Sequence, residues 1–563
     1  MDPVTSEAVE ATGRPQKGTA GAGPEGGRPS GVSGTTERVA RAGILMIFAA
    51  LASRILGMVR EMVLSHQFGQ SGLADVYIQA FAVPDLLFVL LSSGALAAVF
   101  VPIFTEFLEK GDRDRAWEFF SNSCTIVGLF VTVMVILGEI FVVPLTRLVN
   151  PGFPLAKVML TADLTRIVLP TQICFFLGSI LISVQYSLKQ FSIPALGSII
   201  YNLFIIGFGV TLGNPETGLG PAGFSWGALV GAIVGNFLVQ LWGIRRAGGH
   251  YRPIFNLKDP AVARFGKLLL PIVFTISLPY LDMYVNRYFA TYLPGDGAVA
   301  SLNYANRLMQ LPLGILAQAS AIVIFPFIAS QAARQDMEGL KRSLNMAVRT
   351  IVAMTLPASV LMIVLAEPIV RLIYQRGEFL PSDTRHTAPV MVFYCLGIAA
   401  WSAQSVLARG FYALQDTKRP MITGSIVTVF FIFLNWVLVG PMQERGLALA
   451  TTIAATLFAV ALFFQLHQRL GGLNGSLIVR SFLKVSLAGA LMALPVYGLR
   501  LAITRILSPG ALDTTALSTG DTVFLVFVCA TIGLSIYVAL LWALRVDEAR
   551  FLWDKLGSKL RRR

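Results

Sequence analysis

Charge is scarce in this 563-residue chain: Asp, Glu, Lys and Arg make up 13% of it, about half the share in a soluble domain. Hydrophobic residues reach 55%, and a mean hydropathy of +0.69 leaves an apolar surplus that water cannot face. A large soluble protein is excluded. Cysteine is nearly absent too. Cys124, Cys174, Cys395 and Cys529 stand singly in apolar stretches with no CxxC pair, which excludes a disulfide framework and a zinc site. His66, His250, His386 and His467 are equally scattered, without HExxH, so metal catalysis has no carrier. There is no GxxxxGK[ST] loop to cradle nucleotide phosphates. The charge that exists is lopsided, with 45 Lys and Arg against 31 Asp and Glu and a net +14. Such a balance could indicate nucleic acid, but the cations sit at the ends of apolar runs.

What the chain has is those runs. Residues 1–40, rich in Gly, Pro, Ser, Thr and Glu, read as a disordered cytoplasmic tail. The first apolar run begins near Gly43 and carries Arg54 and Arg60, so it is a retained helix and not a cleavable signal peptide. Runs of bilayer length then recur near 43–66, 73–106, 119–145, 160–188, 194–213, 222–246, 263–293, 298–333, 339–366, 386–413, 420–440, 446–468, 477–503 and 521–545, about fourteen in all.

Loop cations orient the bundle. With the N-terminus inside, the inside loops hold Lys110, Arg113 and Arg115; Arg245, Arg246, Arg252, Lys258, Arg264 and Lys267; Arg334, Lys341 and Arg342; Lys418 and Arg419. The tail with Arg550, Lys555, Lys559 and Arg561 to Arg563 joins them. The opposite side offers sparser cations, such as Arg147, Lys157, Arg371, Arg376 and Arg445. Both termini are therefore expected in the cytoplasm, and the basic balance is explained by topology and anionic lipid, without nucleic acid.

An internal repeat is visible. Ala80 onward, AFAVPDLLFVLLSSGALAAVFVP, lies over Ala305 onward, ANRLMQLPLGILAQASAIVIFP. Tyr186 matches Tyr412, Pro194 matches Pro420 and Gly223 matches Gly446, a period of about 225 residues. The expected fold is an all-α polytopic membrane protein. Two six-helix lobes, 41–250 and 251–470, form a parallel repeat about an axis along the membrane normal, with the substrate path between them. Two further helices over 471–546 lie outside the repeat, followed by a basic cytoplasmic tail over 547–563.

The first run, LASRILGMVREMVL, puts Ser53, Arg54, Gly57, Arg60 and Glu61 on one face of a membrane helix. Gly57 leaves bare backbone between the two arginines, where a bulky headgroup can approach. Each buried arginine costs about 2.5–3.5 kcal/mol on insertion scales, so water and counter-charge must compensate. The alternatives are local pairing of Arg60 with Glu61 and snorkelling of Arg54. On the eighth run, Asn303, Asn306, Arg307, Gln310, Gly314 and Gln318 share a second polar face. Asn and Gln can simply glue helices together, but Arg307 presents a fixed fork of donors suited to an anion. Asp75, Asp85, Asn286 and Arg287 add intramembrane charge and polarity. Asp75 also reads as a cap at the outer end of its own helix. Asp282, Asn435 and Thr451 form a candidate oxygen-rich cation site.

The segments SRxxGxxRE at Ser53 to Glu61, FG with D at Phe68, Gly69 and Asp75, NRLMQLPLGIL at Asn306 to Leu316 and GFYALQDTKRP at Gly410 to Pro420 together resemble the MurJ (MviN) lipid II flippases of the MOP exporter superfamily, over about residues 43–545. The resemblance implies fourteen membrane helices and movement of the undecaprenyl-pyrophosphate-linked peptidoglycan precursor from the cytoplasmic to the outer leaflet of a bacterial plasma membrane, and alternating access is the expected mechanism. Another exporter of the superfamily, for O-antigen, a polyprenyl-linked oligosaccharide or drugs, is the alternative. It implies that Arg54, Arg60 and Arg307 contact pyrophosphate and sugar, that Asp75 matches a functionally important acid, and that the last two helices line a groove for the lipid tail. No enzymatic step is expected, and no cofactor beyond a coupling cation or the membrane potential; the cell-wall synthesis machinery is a candidate partner. One departure stands out. Members commonly carry an arginine shortly after Pro-Asx-Leu-Leu on the second helix, where this chain follows Pro84 to Leu87 with Phe88 and Val89.

Overall fold

The computed structural model describes residues 30–91, 93–277, 281–508 and 514–548, and within these it is helix and loop with no strand. Nine of the described helical stretches are long and apolar enough to cross a bilayer. Residues 1–29, expected to form a disordered tail, and the basic tail from Ala549 lie outside the described residues.

The first helix, α1 (Ser30–Phe68), starts ahead of its apolar run, so residues 30–40, expected to be unstructured, continue it. Extending a formed helix needs no new nucleus. The second predicted span is broken into α2 (Gly72–Ala80), α3 (Ala82–Leu91) and α4 (Ser93–Glu109). Then come α5 (Arg113–Ile140), α6 (Val142–Val149), α7 (Leu155–Val168), α8 (Thr171–Ser187) and α9 (Ser192–Leu212). The sixth span comprises α10 (Pro221–Gly231), a π turn and α11 (Val239–Arg246), and the seventh α12 (Pro260–Ser277) and α13 (Leu281–Ala290). The eighth is α14 (Ala298–Pro312), a π turn over Leu313–Ala317 and α15 (Gln318–Ala333). After α16 (Met337–Val364) and α17 (Ala366–Tyr374) come α18 (Pro381–Cys395) and α19 (Ile398–Ala413). The stretch α20 (Lys418–Arg469) is two helices meeting at Gln443, whose φ of 51° breaks the helix just past Pro441, where the sequence places a boundary between spans. The last are α21 (Gly475–Leu507) and α22 (Thr519–Ala543).

Two devices recur in step with the predicted period. Asp112 accepts the backbone N–H of Arg115 at the start of α5, and Asp336 that of Gly339 at the start of α16, each tying down an otherwise unpaired helix-end donor. Pro102 and Pro326 both sit inside helices, α4 and α15.

The outer belt is apolar: Ile136 and Ile140 on α5, Ile426 and Val429 on α20, Leu494 on α21 and Phe527 on α22 are all exposed. Such a surface suits lipid. The interior is knit by aromatics, with Tyr304 of α14 packed between Tyr374 and Phe379, and Phe224 of α10 against Phe68 and Tyr77. The pair α21–α22 leans on α16, where the Tyr537 hydroxyl donates to the Ala353 carbonyl at 2.9 Å.

Candidate substrate-binding site

Glu61, 4% exposed, is the hub. Arg60 Nη2 donates to its Oε1 at 2.8 Å, Asn303 Nδ2 donates to its Oε2 at 3.1 Å, and Arg307 Nε lies 3.6 Å from Oε1. The polar faces of α1 and α14 thus meet, although 242 residues separate Glu61 from Asn303. Local pairing of Arg60 with Glu61 is realised, but a single carboxylate shared by two guanidinium groups cannot neutralise both. Arg60 Nη1 also reaches Asn202 Oδ1 on α9 at 3.5 Å. Arg287 of α13 donates through Nη2 to Asn303 Oδ1 at 3.3 Å, joining the same chain. Asp85 on α3 lies within electrostatic reach of Arg287, Arg307 and Arg60, yet no ion pair within 4.0 Å joins it to them among the described residues.

Arg54 does not snorkel to its own helix end. Its guanidinium lies over Gly314, in the π turn after α14, so closely that a Cβ there would overlap Nη1. A side chain from one half thus crosses onto bare backbone of the other. Arg54 is exposed and has no carboxylate partner among the described residues. Beside Gly57 a Cβ would meet nothing within 4 Å, so the space inferred from the sequence is there. Gln310 bonds to Asn306 at 2.5 Å on the open edge of the stripe, and the side chain of Gln318 lies outside the described residues.

Asp75 departs from its expected cap. It does not cap α2: its carboxylate accepts the backbone N–H groups of Gly297 (2.7 Å) and Ala300 (2.8 Å), closing the start of α14 in the other half. Lys157 lies 4.0 Å away and pairs with Asp296. The neighbouring contacts all cross between the halves at the far end of the bundle, where α1 finishes. The Tyr304 hydroxyl donates to the Gly69 carbonyl at 3.0 Å, the Glu378 N–H to the His66 carbonyl at 2.9 Å, and Gln70 bonds to His386 and Thr387. Gly69, at φ 56°, lies so near the Glu378 carbonyl that a side chain would collide with it. Asp75 therefore belongs to this seal and makes no contact with the arginines.

Of the candidate cation ligands, Thr451 Oγ1 accepts from Asn286 Nδ2 at 2.7 Å, and Asn286 also donates to the Tyr394 hydroxyl at 3.1 Å. Asn435 is fully buried with both side-chain polar atoms unpartnered, and Asn286 Oδ1 is unpartnered too. Unpaired buried oxygens suit a small cation. No hydrogen bond or ion pair joins Asp282 to Asn435 or Thr451 among the described residues.

At the departure on the second helix, Phe88 packs its ring 5.8 Å from Phe175 and 6.1 Å from Phe176, a hydrophobic contact; the side chain of Val89 lies outside the described residues. Sequence reasoning named Arg287 as an intramembrane charge without bringing it to the site, and passed over Asn202, whose signal is a lone Asn in an otherwise apolar run.

A family profile described as lipid II flippase MurJ matches residues 64–515. A probable lipid II flippase MurJ of Vibrio cholerae serotype O1 is 29% identical over 447 residues, covering 77% of this chain and 83% of the relative. One from Rhizobium tropici is 30% identical over 429 residues, covering 75% and 79%. Among solved structures, lipid II flippase MurJ in an inward closed conformation superposes with a TM-score of 0.73 at 26% identity, covering 88% of this chain and 98% of that one. An inward-facing multidrug resistance MATE family transporter of the MOP superfamily shares the fold, with a TM-score of 0.65 at 15% identity over 77% of this chain and 99% of that one. With paired polar faces buried between two helical halves and a family match over most of its length, the chain belongs to the lipid II flippase MurJ family.

Proposed function

We propose that this chain carries lipid II, the undecaprenyl-pyrophosphate-linked peptidoglycan precursor, from the cytoplasmic to the outer leaflet of a bacterial inner membrane, as a transporter that makes and breaks no covalent bond. The observation that carries the reading is a charge imbalance. Among the described residues, Arg54, Arg60, Arg287 and Arg307 in the middle of the bundle are set against the carboxylates of Glu61 and Asp85, four positive charges to two negative. A diphosphate esterified at both ends carries two negative charges. Arg307, with 38% of its side chain exposed, and Arg54 are open to an incoming group, and Gly57 gives it room.

The far-end seal then faces outside, and both termini face the cytoplasm. Alternating access requires the far-end contacts to part while the halves rock, with the lipid tail remaining in hydrocarbon. A coupling cation held by Asn435, Asn286 and Thr451, with Asp282 one turn from Asn286, would supply the bias that resets the cycle. Replacing Arg60 and Arg307 by Ala in cells that depend on this chain should stop growth and hold lipid II on the inner leaflet. Full outer-leaflet exposure in the double variant would overturn the reading. Transport that persists unchanged when sodium is replaced by choline would remove the sodium form of the coupling site.

A further inference from the structure

Nothing in the fold answers the Asp85 carboxylate. It is half-buried, and among the described residues no hydrogen bond or ion pair reaches either of its oxygens. Phe88 stands three residues further along α3, on the same face. Its ring packs 5.8 Å from Phe175 of α8, and the Phe175 ring lies edge-on 5.4 Å from Tyr201 of α9. This aromatic row runs from beside the carboxylate to the arginines, because Asn202, the next residue along α9, accepts from Arg60. Tyr201 from the first half and Tyr284 of α13 from the second are both within electrostatic reach of Asp85. Phe175 and both tyrosines are half-buried, and neither hydroxyl has a hydrogen-bond partner among the described residues. An ionised carboxylate only accepts, through two oxygens, whereas a phenol both donates and accepts. A metal cation is disfavoured here, with Arg60, Arg287 and Arg307 all within electrostatic reach of the carboxylate, and an anion is repelled by the carboxylate itself. A neutral group rich in hydroxyls suits both the charge and the open ring surface.

We propose that Asp85, Tyr201 and Tyr284 form a sugar subsite beside the arginines, in which the carboxylate accepts from the hydroxyl or amide donors of the sugar attached to the diphosphate and Tyr201 and Phe175 offer ring surface to its C–H face. The inference rests on the lipid II reading and extends it: the arginines hold the diphosphate, and this row reads the sugar next to it. Asp85 then plays two opposed parts. To the diphosphate it is a neighbour of like charge; to the sugar it is an acceptor. Removing its charge should therefore move the two parts of the ligand in opposite directions, which a purely structural or purely electrostatic residue would not do.

The test titrates the full-length purified protein with two probes, undecaprenyl diphosphate and lipid II, and reads binding by native mass spectrometry. The unaltered protein should hold lipid II about tenfold more tightly than undecaprenyl diphosphate. Asp85→Asn, which keeps the shape and removes the charge, should lower that preference about tenfold, weakening lipid II while leaving undecaprenyl diphosphate unchanged or up to about threefold tighter. Tyr201→Phe, which keeps the ring and loses the hydroxyl, should weaken lipid II about threefold, and Tyr201→Leu, which loses both, about tenfold, each leaving undecaprenyl diphosphate within about twofold. Retained binding of undecaprenyl diphosphate also reports that each variant is folded. Equal affinity of the unaltered protein for the two probes, or variants that shift both probes by the same factor, would overturn the proposal. Either result leaves the flippase reading standing, since that reading fails only if the unaltered protein binds neither probe.

Discussion

The boundary between the two halves is built in two ways. At the far end, Asp75, Gly69, Gln70, Tyr304 and Glu378 meet through hydrogen bonds whose donors and acceptors are largely matched, many of them backbone groups. In the middle, Arg54, Arg60, Arg287 and Arg307 outnumber their carboxylates and leave donors unspent. The far end is complete by itself, so it favours closure without a ligand; the middle is incomplete, so it favours whatever anion supplies the missing charge. A transporter needs both: a closure strong enough to hold and a site whose filling can outweigh it.

Substitutions can break this contrast from either side. The largest effect is expected from Arg307→Ala or Arg60→Ala. Removing a charge-assisted contact worth about 1.5–3 kcal/mol should weaken binding of undecaprenyl diphosphate by about 10- to 100-fold in a titration of the purified protein. The far-end contacts should survive, which thiol labelling of Thr387→Cys in a cysteine-free background would read as continued protection. Gly57→Trp comes next: it fills the space beside the arginines without changing charge and should reduce affinity about tenfold with little loss of thermal stability. Asp75→Ala acts on the other region. Uncapping α14 should cost the closed form about 1–2 kcal/mol, raising labelling at position 387 about tenfold, while Asp75→Asn, which keeps one acceptor, should raise it less. The smallest change is expected from Gly314→Ala, which displaces the Arg54 guanidinium and should lower affinity only a few-fold, about twofold to fivefold. Equal effects of Asp75→Ala and Arg307→Ala on ligand binding would erase the distinction between the regions.

The sequence made some of this legible and hid the rest for identifiable reasons. Hydropathy marked the spans, including the break inside α20, because Pro441 punctuates an otherwise continuous apolar stretch. Helical spacing put Arg60 and Glu61 on one face and Asn303 and Arg307 on another, and two polar faces in hydrocarbon must find each other. Periodicity tells which face a residue occupies but not which helix lies opposite. Hence Asp75 reads locally as a cap for its own helix and in fact closes one that starts more than 220 residues later. The same limit hid Arg287 and Asn202, each reaching Glu61 only through an intermediate side chain. The π turn that brings Gly314 under Arg54 leaves no compositional mark beyond the glycine itself.

Among the described residues, the hydrogen bonds and ion pairs that fasten the closing pair of helices run to the second half. Tyr537 holds the Ala353 carbonyl, Arg349 pairs with Glu548 just beyond α22, and Arg500 pairs with Glu367. Any rocking of one half against the other must therefore sweep α21 and α22 along as a rigid fin through the surrounding lipid. A hydrocarbon chain resting against that fin would be dragged sideways with each stroke, coupling the motion of a greasy tail to the fate of its charged head.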